Sequence, residues 1–327
     1  MKRVIHSMFS KPVMAVCCLL GFSVQAETID NWLDKMSHAS QQQNYQGTLV
    51  IRQQDKMQAI RVKQGVSDSG SWQTLETLTG EDQTIIRHNN KVTTIFPRKK
   101  LITVSDDMAG SVDKGPLHPA LPENRNILGE FYKLSLSGES RIANKATQII
   151  QMVPRDKHRY GYIFWLDKQS GLLLKCDMLD EQGRVIEQLM YSDVELLSDS
   201  PQNSIDIEAL KNYRKVQLVG QQEVAEERWV SSQLPAGFKL IRSDEVSQHN
   251  QQAPAYHMIY SDGMASVSVF IEQRANMDKP VQGLSSMGAV HAYSALMNDI
   301  YVTAIGEVPS DTVKMMAESV HAVAAND

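Results

Sequence analysis

The chain is short of most features that announce a chemistry. Only three cysteines occur in 327 residues, at positions 17, 18 and 176, too few for a disulfide scaffold. Aromatic residues make up only 6% of the chain, while methionine is plentiful at 16. Positive charge is not in excess either: 33 basic residues face 38 acidic ones, a net of −5, so electrostatics gives a nucleic-acid partner no support. No HExxH, CxxC or EF-hand spacing appears, and no metal is expected. Glycine-rich phosphate loops and dinucleotide fingerprints are missing too, so no cofactor is expected. The longest apolar run, Val13–Phe22, is about half of the ~20 residues a membrane-spanning helix needs.

That run has a different meaning. Lys2, Arg3 and Lys11 are basic and no acid precedes Glu27, while Val24-Gln25-Ala26 supplies a small-x-small cleavage site. Residues 1–26 read as a secretory signal peptide cut after Ala26. Met14-Ala15-Val16 before Cys17 lacks the Leu-(Ala/Ser)-(Gly/Ala) pattern of a bacterial lipoprotein, so lipidation is not expected. The exported remainder is 301 residues with 30 basic and 38 acidic side chains, a net of −8. One thiol stays, Cys176, inside the strand-like run LLLKCDML, where a buried structural role outweighs a nucleophilic one.

Hydrophobic periodicity divides the exported chain. Ile29, Trp32, Leu33, Met36 and Ala39 recur at helical spacing. Short β-like runs come next, at Tyr45–Arg52, Met57–Lys63, Trp72–Leu78, Thr84–Arg87, Val92–Phe96 and Leu101–Val104. The meander resumes with Leu134–Ser137, Thr147–Val153, Tyr160–Asp167, Leu172–Met178 and Val185–Val194. Turn signals separate these runs, and helical patterns between strands are absent, which argues against a doubly wound parallel sheet. Asp106–Arg125 carries three prolines and no periodicity, a long loop of surface or ligand-gating type. A polar, turn-rich segment near Ser198–Ser204 marks a boundary. Beyond it, Ile205–Tyr213 suggests a short helix, and strands are expected at Phe238–Ser243, Tyr256–Tyr260, Ala265–Gln273 and Asp299–Ile305. A last amphipathic helix carries Val313, Met316, Ala317 and Val320, with Ser310 expected as its N-cap. The predicted class is α+β: a large, mostly antiparallel β domain at 27–198, a linker at 199–215 and a smaller α+β domain at 216–327.

A search for catalysts returns little. Gly283-Leu284-Ser285-Ser286-Met287-Gly288 is the nearest approach to a nucleophile elbow, but GLSSM lacks the second glycine of GxSxG. The scattered histidines and the acidic pairs Asp106-Asp107 and Glu226-Glu227 read as solvated charge. Apolar surface is the stronger signal. Tyr162-Ile163-Phe164-Trp165-Leu166 is hydrophobic on both faces, so one face must meet something besides the core. Thirteen methionines lie beyond residue 26, and their unbranched thioethers suit a cavity that re-packs around varied apolar ligands.

Several stretches resemble one family. Arg159-Tyr160-Gly161-Tyr162-Ile163-Phe164-Trp165-Leu166-Asp167, Gly171-Leu172-Leu173 and Leu179-Asp180-Glu181-Gln182-Gly183 look like the RseB/MucB proteins of Gram-negative bacteria. So do Leu234-Pro235-Ala236-Gly237-Phe238, Tyr260-Ser261-Asp262-Gly263 and Gly306-Glu307-Val308-Pro309. The resemblance implies a periplasmic negative regulator of an envelope-stress sigma factor. Such a protein binds the periplasmic region of a membrane anti-sigma factor, protects it from regulated proteolysis, and is released by mislocalised lipoprotein or lipopolysaccharide. It also implies that the large domain is an unclosed β-barrel over helices, like the lipoprotein carriers LolA and LolB. Tyr160, Tyr162, Trp165 and Tyr260 are the candidate ligand or partner contacts. A homodimer stays open, as does the alternative of a lipid or lipoprotein carrier. A secreted hydrolase using Ser285, Ser286 or His291 is the third reading.

Overall fold

A computed structural model describes residues 27–67, 70–88, 91–106, 121, 126–202, 210–218, 228–246, 255–273 and 281–323. The signal segment 1–26, the Asn89-Asn90 turn, nearly all of Asp106–Arg125 and residues 203–209, with most of the helix expected at Ile205–Tyr213, lie outside the described residues.

The first element is helix α1 (Ile29–Gln42), opened by Thr28, whose hydroxyl accepts from the Asn31 N–H. Trp32, Leu33, Met36 and Ala39 are its buried residues, so the three-to-four spacing read in the sequence becomes one face against a sheet. The helix lies close enough to the sheet that backbone space matters. Gly171, in a turn at φ +77°, would bring a Cβ within 2.7 Å of Lys35 on α1.

The sheet has twelve strands. In chain order they are β1 (Asn44–Gln53), β2 (Lys56–Ser67), β3 (Gly70–Thr77), β4 (Thr84–His88), β5 (Lys91–Phe96), β6 (Leu101–Asp106), β7 (Tyr132–Ile142), β8 (Lys145–Pro154), β9 (Gly161–Asp167), β10 (Leu173–Leu179), β11 (Val185–Leu197) and β12 (Arg214–Leu218). Their spatial order is β12-β6-β5-β4-β3-β2-β1-β11-β10-β9-β8-β7, so among the described residues β12 and β7 are free edges and the sheet is not closed. All pairs are antiparallel except β12 with β6, which are parallel. Residues 214–218, expected as the end of the linker and the first residues of the small domain, instead pair with β6 of the large sheet, and the Arg214 N–H also bonds to the Lys100 carbonyl.

Two apolar clusters fill the side of the sheet that carries α1. Tyr45, Leu49, Ile51, Ile60, Val62 and Tyr191 gather around Ala39. Tyr160, Tyr162, Phe164, Leu166, Cys176 and Met178 gather around Trp32, Leu33 and Met36, with Leu128 from helix α2 (Asn126–Phe131). A register shift between Leu173 and Lys175 lets the fully buried Leu174 join the first cluster while Cys176 joins the second. Burial pushes the Cys176 thiol well up, which suits the structural role expected of it.

A smaller sheet orders β14 (Lys239–Val246), β15 (Ala255–Ser261), β16 (Ser266–Gln273), β19 (Ile300–Gly306), β18 (Val290–Met297) and β17 (Gly283–Met287) as β14-β15-β16-β19-β18-β17. Helix α3 (Ser310–Glu318) packs on it, and a two-stranded ribbon of β13 (Trp229–Ser231) and β20 (Val320–Ala322) completes the domain. The helix starts differently from expectation. Pro309 is the N-cap and Ser310 is already helical, with no side-chain cap bond. Proline's fixed φ sets the entry, and the Pro309 carbonyl accepts from the Thr312 N–H. GLSSM is strand β17 rather than a strand–turn–helix elbow, and the His291 ring opposite Ser286 bonds to other groups. GLSSM is therefore not a nucleophile elbow.

Candidate functional site

The two sheets meet where the β8–β9 connection, Arg155 to Tyr160, runs into four loops of the small domain. Two adjacent residues of that connection fasten different parts of it.

Arg159 is fully buried. Its Nη1 donates to Asp262 Oδ2 at 2.5 Å, its Nη2 to Asp156 Oδ2 at 3.0 Å and to the Ala236 carbonyl at 2.6 Å, and its Nε to Asp156 Oδ1 at 3.1 Å. The guanidinium also lies over Phe131 at 4.7 Å and near Phe238 at 5.6 Å. Asp262 sits in the β15–β16 turn, where Oδ1 accepts the Met264 and Ala265 N–H groups, each at 2.8 Å. Burial raises the Asp262 carboxyl, and those amide bonds together with Arg159 oppose the rise. A buried pair keeps its charges only when hydrogen bonds complete it, and here they do. Next to the pair, a Cβ on Gly237 (φ +84°) would fall 2.2 Å from the Phe131 ring, so the Pro235–Phe238 turn fits only with glycine there.

Tyr160 points the other way. Its hydroxyl lies 3.1 Å from the Ala289 carbonyl, 3.2 Å from the Val308 carbonyl and 3.1 Å from His291 Nδ1. Nδ1 is also 2.9 Å from the Val308 oxygen. A carbonyl cannot donate, so this contact places the hydrogen on Nδ1 and leaves the tyrosine proton to a carbonyl. Burial raises the Tyr160 hydroxyl, so it stays protonated. One residue earlier, the His158 carbonyl accepts from Thr312 Oγ1 at 3.1 Å, tying in the first turn of α3. Ala289, at the tip of the β17–β18 hairpin, is buried among Tyr160, Tyr162 and Phe164, and Met264 packs against the same cluster. The small domain thus covers part of the large sheet's apolar side with a hairpin tip. Glu307, beside Val308, keeps a solvent-exposed edge, yet enclosing protein and then the charge of Glu187 raise it to about 7. Burial likewise raises Glu187, and a hydrogen bond from Gln53 opposes it.

The four residues singled out in the sequence are only partly brought together. Tyr160 and Tyr162 share the junction cluster, Tyr162 stacking on Phe164 with centroids 5.8 Å apart. Trp165 is on the opposite face of β9, half-buried under the Lys175 ammonium at 3.9 Å. Tyr260 is in the small domain's own core, its hydroxyl accepting the Ser231 N–H at 2.9 Å. Arg159 and Asp262, both inside stretches that carried the family resemblance, are the residues that sequence reasoning did not single out. Among the described residues no group of three or more His, Cys, Asp or Glu side chains could hold a metal, and no helix is long and apolar enough to cross a membrane.

Comparison with known proteins agrees with this architecture. Residues 28–209 match the model of the MucB/RseB N-terminal domain, and residues 223–321 match that of the MucB/RseB C-terminal domain. The sigma-E factor regulatory protein RseB of Haemophilus influenzae is 29% identical over 315 residues, covering 94% of this chain and 96% of the relative. The sigma factor AlgU regulatory protein MucB of Pseudomonas aeruginosa is 29% identical over 317 residues, covering 93% and 94%. Among solved structures, the Pseudomonas aeruginosa MucA/MucB complex superposes with a TM-score of 0.70 at 28% identity, over 90% of this chain and 99% of that one. MucB in complex with MucA(peri) gives 0.68 at 26% identity, over 91% and 100%. With both domain models matched in order along one chain, this protein belongs to the MucB/RseB family.

Proposed function

We propose that the chain is a periplasmic negative regulator of an envelope-stress sigma factor, acting through the periplasmic region of a membrane anti-sigma factor. It shields that region from regulated proteolysis and lets go when mislocalised lipoprotein or lipopolysaccharide binds. The observation that carries this reading is the junction. A small domain locked by a buried Arg159–Asp262 pair sends its hairpin tip into the apolar side of an open sheet. An acyl chain entering that side competes with Ala289 and Met264, and ligand and partner then weaken each other reciprocally. Each tenfold loss of partner affinity takes ~1.4 kcal/mol of differential binding. Tyr160 and Tyr162 lie where such a chain would enter, while Trp165 and Tyr260 are assigned to contacts elsewhere on their own domains. Export with cleavage after Ala26 and no lipidation complete the reading.

A carrier of the LolA/LolB type is the competing function, and the locked small domain speaks against it. Pull-down of the protein lacking residues 1–26 from an envelope extract decides between them. The expected result is recovery of the anti-sigma factor, diminished by added lipopolysaccharide or acylated peptide. Recovery of lipoprotein with no anti-sigma factor would establish the carrier instead.

A further inference from the structure

The two sheets expose four edge strands, and three of them are defended. Strand β7 carries Lys133, Glu139 and Arg141 and a register break between Leu136 and Glu139. Strand β14 carries Lys239, Arg242, Asp244 and Glu245 and a break between Leu240 and Arg242. Strand β12 is five residues long and begins Arg214-Lys215. Charge, bulges and shortness are the standard ways to stop a free edge from pairing with another chain. Strand β17, Gly-Leu-Ser-Ser-Met, has no charge and no register break, and all five residues are exposed. No Asp, Glu, Lys or Arg occurs anywhere from Pro280 to Asn298, so the hairpin that presents this edge is uncharged. Leu284 is 53% exposed and Met287 74%.

The bare edge leads to the domain junction. Past Met287 the chain turns through Gly288 and the buried Ala289, and a Cβ at Gly288 would stand 4.0 Å from that of Gln53 in the large domain. Beside Gln53, at the same hairpin end, Met57 pairs with Arg52 and is 68% exposed. An exposed apolar side chain of the large domain is thus carried by the same hairpin whose Gln53 faces the β17–β18 turn.

We propose that β17 is a strand-addition site for an extended, uncharged segment of the anti-sigma partner, which pairs along Gly283–Met287 and continues past the junction to Met57. This deepens the functional reading above and rests on it. Main-chain bonds to the free edge supply affinity, and apolar side chains on both faces of the added strand supply selectivity, because Leu284 and Met287 point to opposite faces of the sheet. A neutral edge suits a neutral strand, because a charged residue would be desolvated without a partner there. Since one segment touches both domains, any ligand that displaces the small domain also breaks the continuous contact.

Hydrogen–deuterium exchange on the full chain, alone and with the purified periplasmic domain of the same organism's anti-sigma factor, tests the site. The expected result is added protection, seen only in the complex, of those amides in Gly283–Met287 that point away from β18. The double variant Leu284→Lys, Met287→Lys should bind at least tenfold more weakly with an unchanged melting temperature, whereas Ile241→Lys on β14 changes binding less than twofold. A complex that forms with β17 unprotected, or that the double variant forms as well as the parent, overturns the proposal and leaves the functional reading intact. Protection that appears without partner and grows with protein concentration assigns the edge to a second copy and also overturns it. Absence of any complex with the parent chain overturns both.

Discussion

Arg159 and Tyr160 are neighbours in the chain and fasten the same two domains, yet they do so by opposite means. The Arg159 contact is ionic, enclosed by aromatic rings and completed by four hydrogen bonds. The Tyr160 contact is a neutral hydroxyl at the mouth of an apolar cluster, shared among two carbonyls and an imidazole. A buried charge tolerates no half-measures, because losing one partner strands the other in low dielectric. A neutral hydroxyl can be lost at the cost of one hydrogen bond. The first is suited to holding the domains in register, and the second to letting them part.

Asp262→Ala should therefore be the most damaging change, costing about 3 kcal/mol in urea unfolding, because it removes the fully buried partner of Arg159 and leaves only the partly exposed Asp156 to balance its charge. Pairing it with Arg159→Met should recover part of that loss. A double variant no better than the single one would show that the pair matters for something besides charge compensation. Gly237→Ala adds a methyl group against Phe131 at a positive φ and should cost about 1–3 kcal/mol by the same measurement. Tyr160→Phe removes one buried hydroxyl and should cost about 1 kcal/mol. If it costs as much as Asp262→Ala, the distinction between the two fastenings fails.

The smallest effect is one of pH. Glu307 has its proton affinity raised to about 7 in the docked protein, against an ordinary 4.5. Between those values the docked form binds a proton that the separated form does not, so docking tightens as pH falls from about 7 towards 4.5. Above that window the docked form carries the penalty of the charge, reduced where Glu307 meets solvent. Melting temperature should rise on mild acidification, and Glu307→Gln should flatten the rise. Glu187, raised in the same direction, leaves a residual slope in that variant.

The meander was legible because its strands have one dry side. Alternation in β1, with Tyr45, Gly47, Leu49 and Ile51 buried in turn, is the pattern that periodicity detects. Strand β9 stood out for its two-sided apolarity, and the structure gives each face a separate environment, Phe164 in the cluster and Trp165 under Lys175. The β17–β18 hairpin was not legible. All of β17 is exposed, so it carries no alternation for periodicity to detect. The ion pair was hidden for a different reason. Arg159 and Asp262 are 103 residues apart, and nothing local to either marks the other as its partner. Tyr160 was singled out for its apolar ring, but what it does here depends on its hydroxyl.

Cys176 has a practical consequence. Beyond Cys18 it is the sole thiol in the chain, and it is buried beside Tyr162 and Met178 on the α1 side of the sheet. A thiol reagent added from outside therefore reacts only when that side opens. The rate of its labelling is a clock for the opening event, readable with no engineered probe and no knowledge of which ligand triggers it.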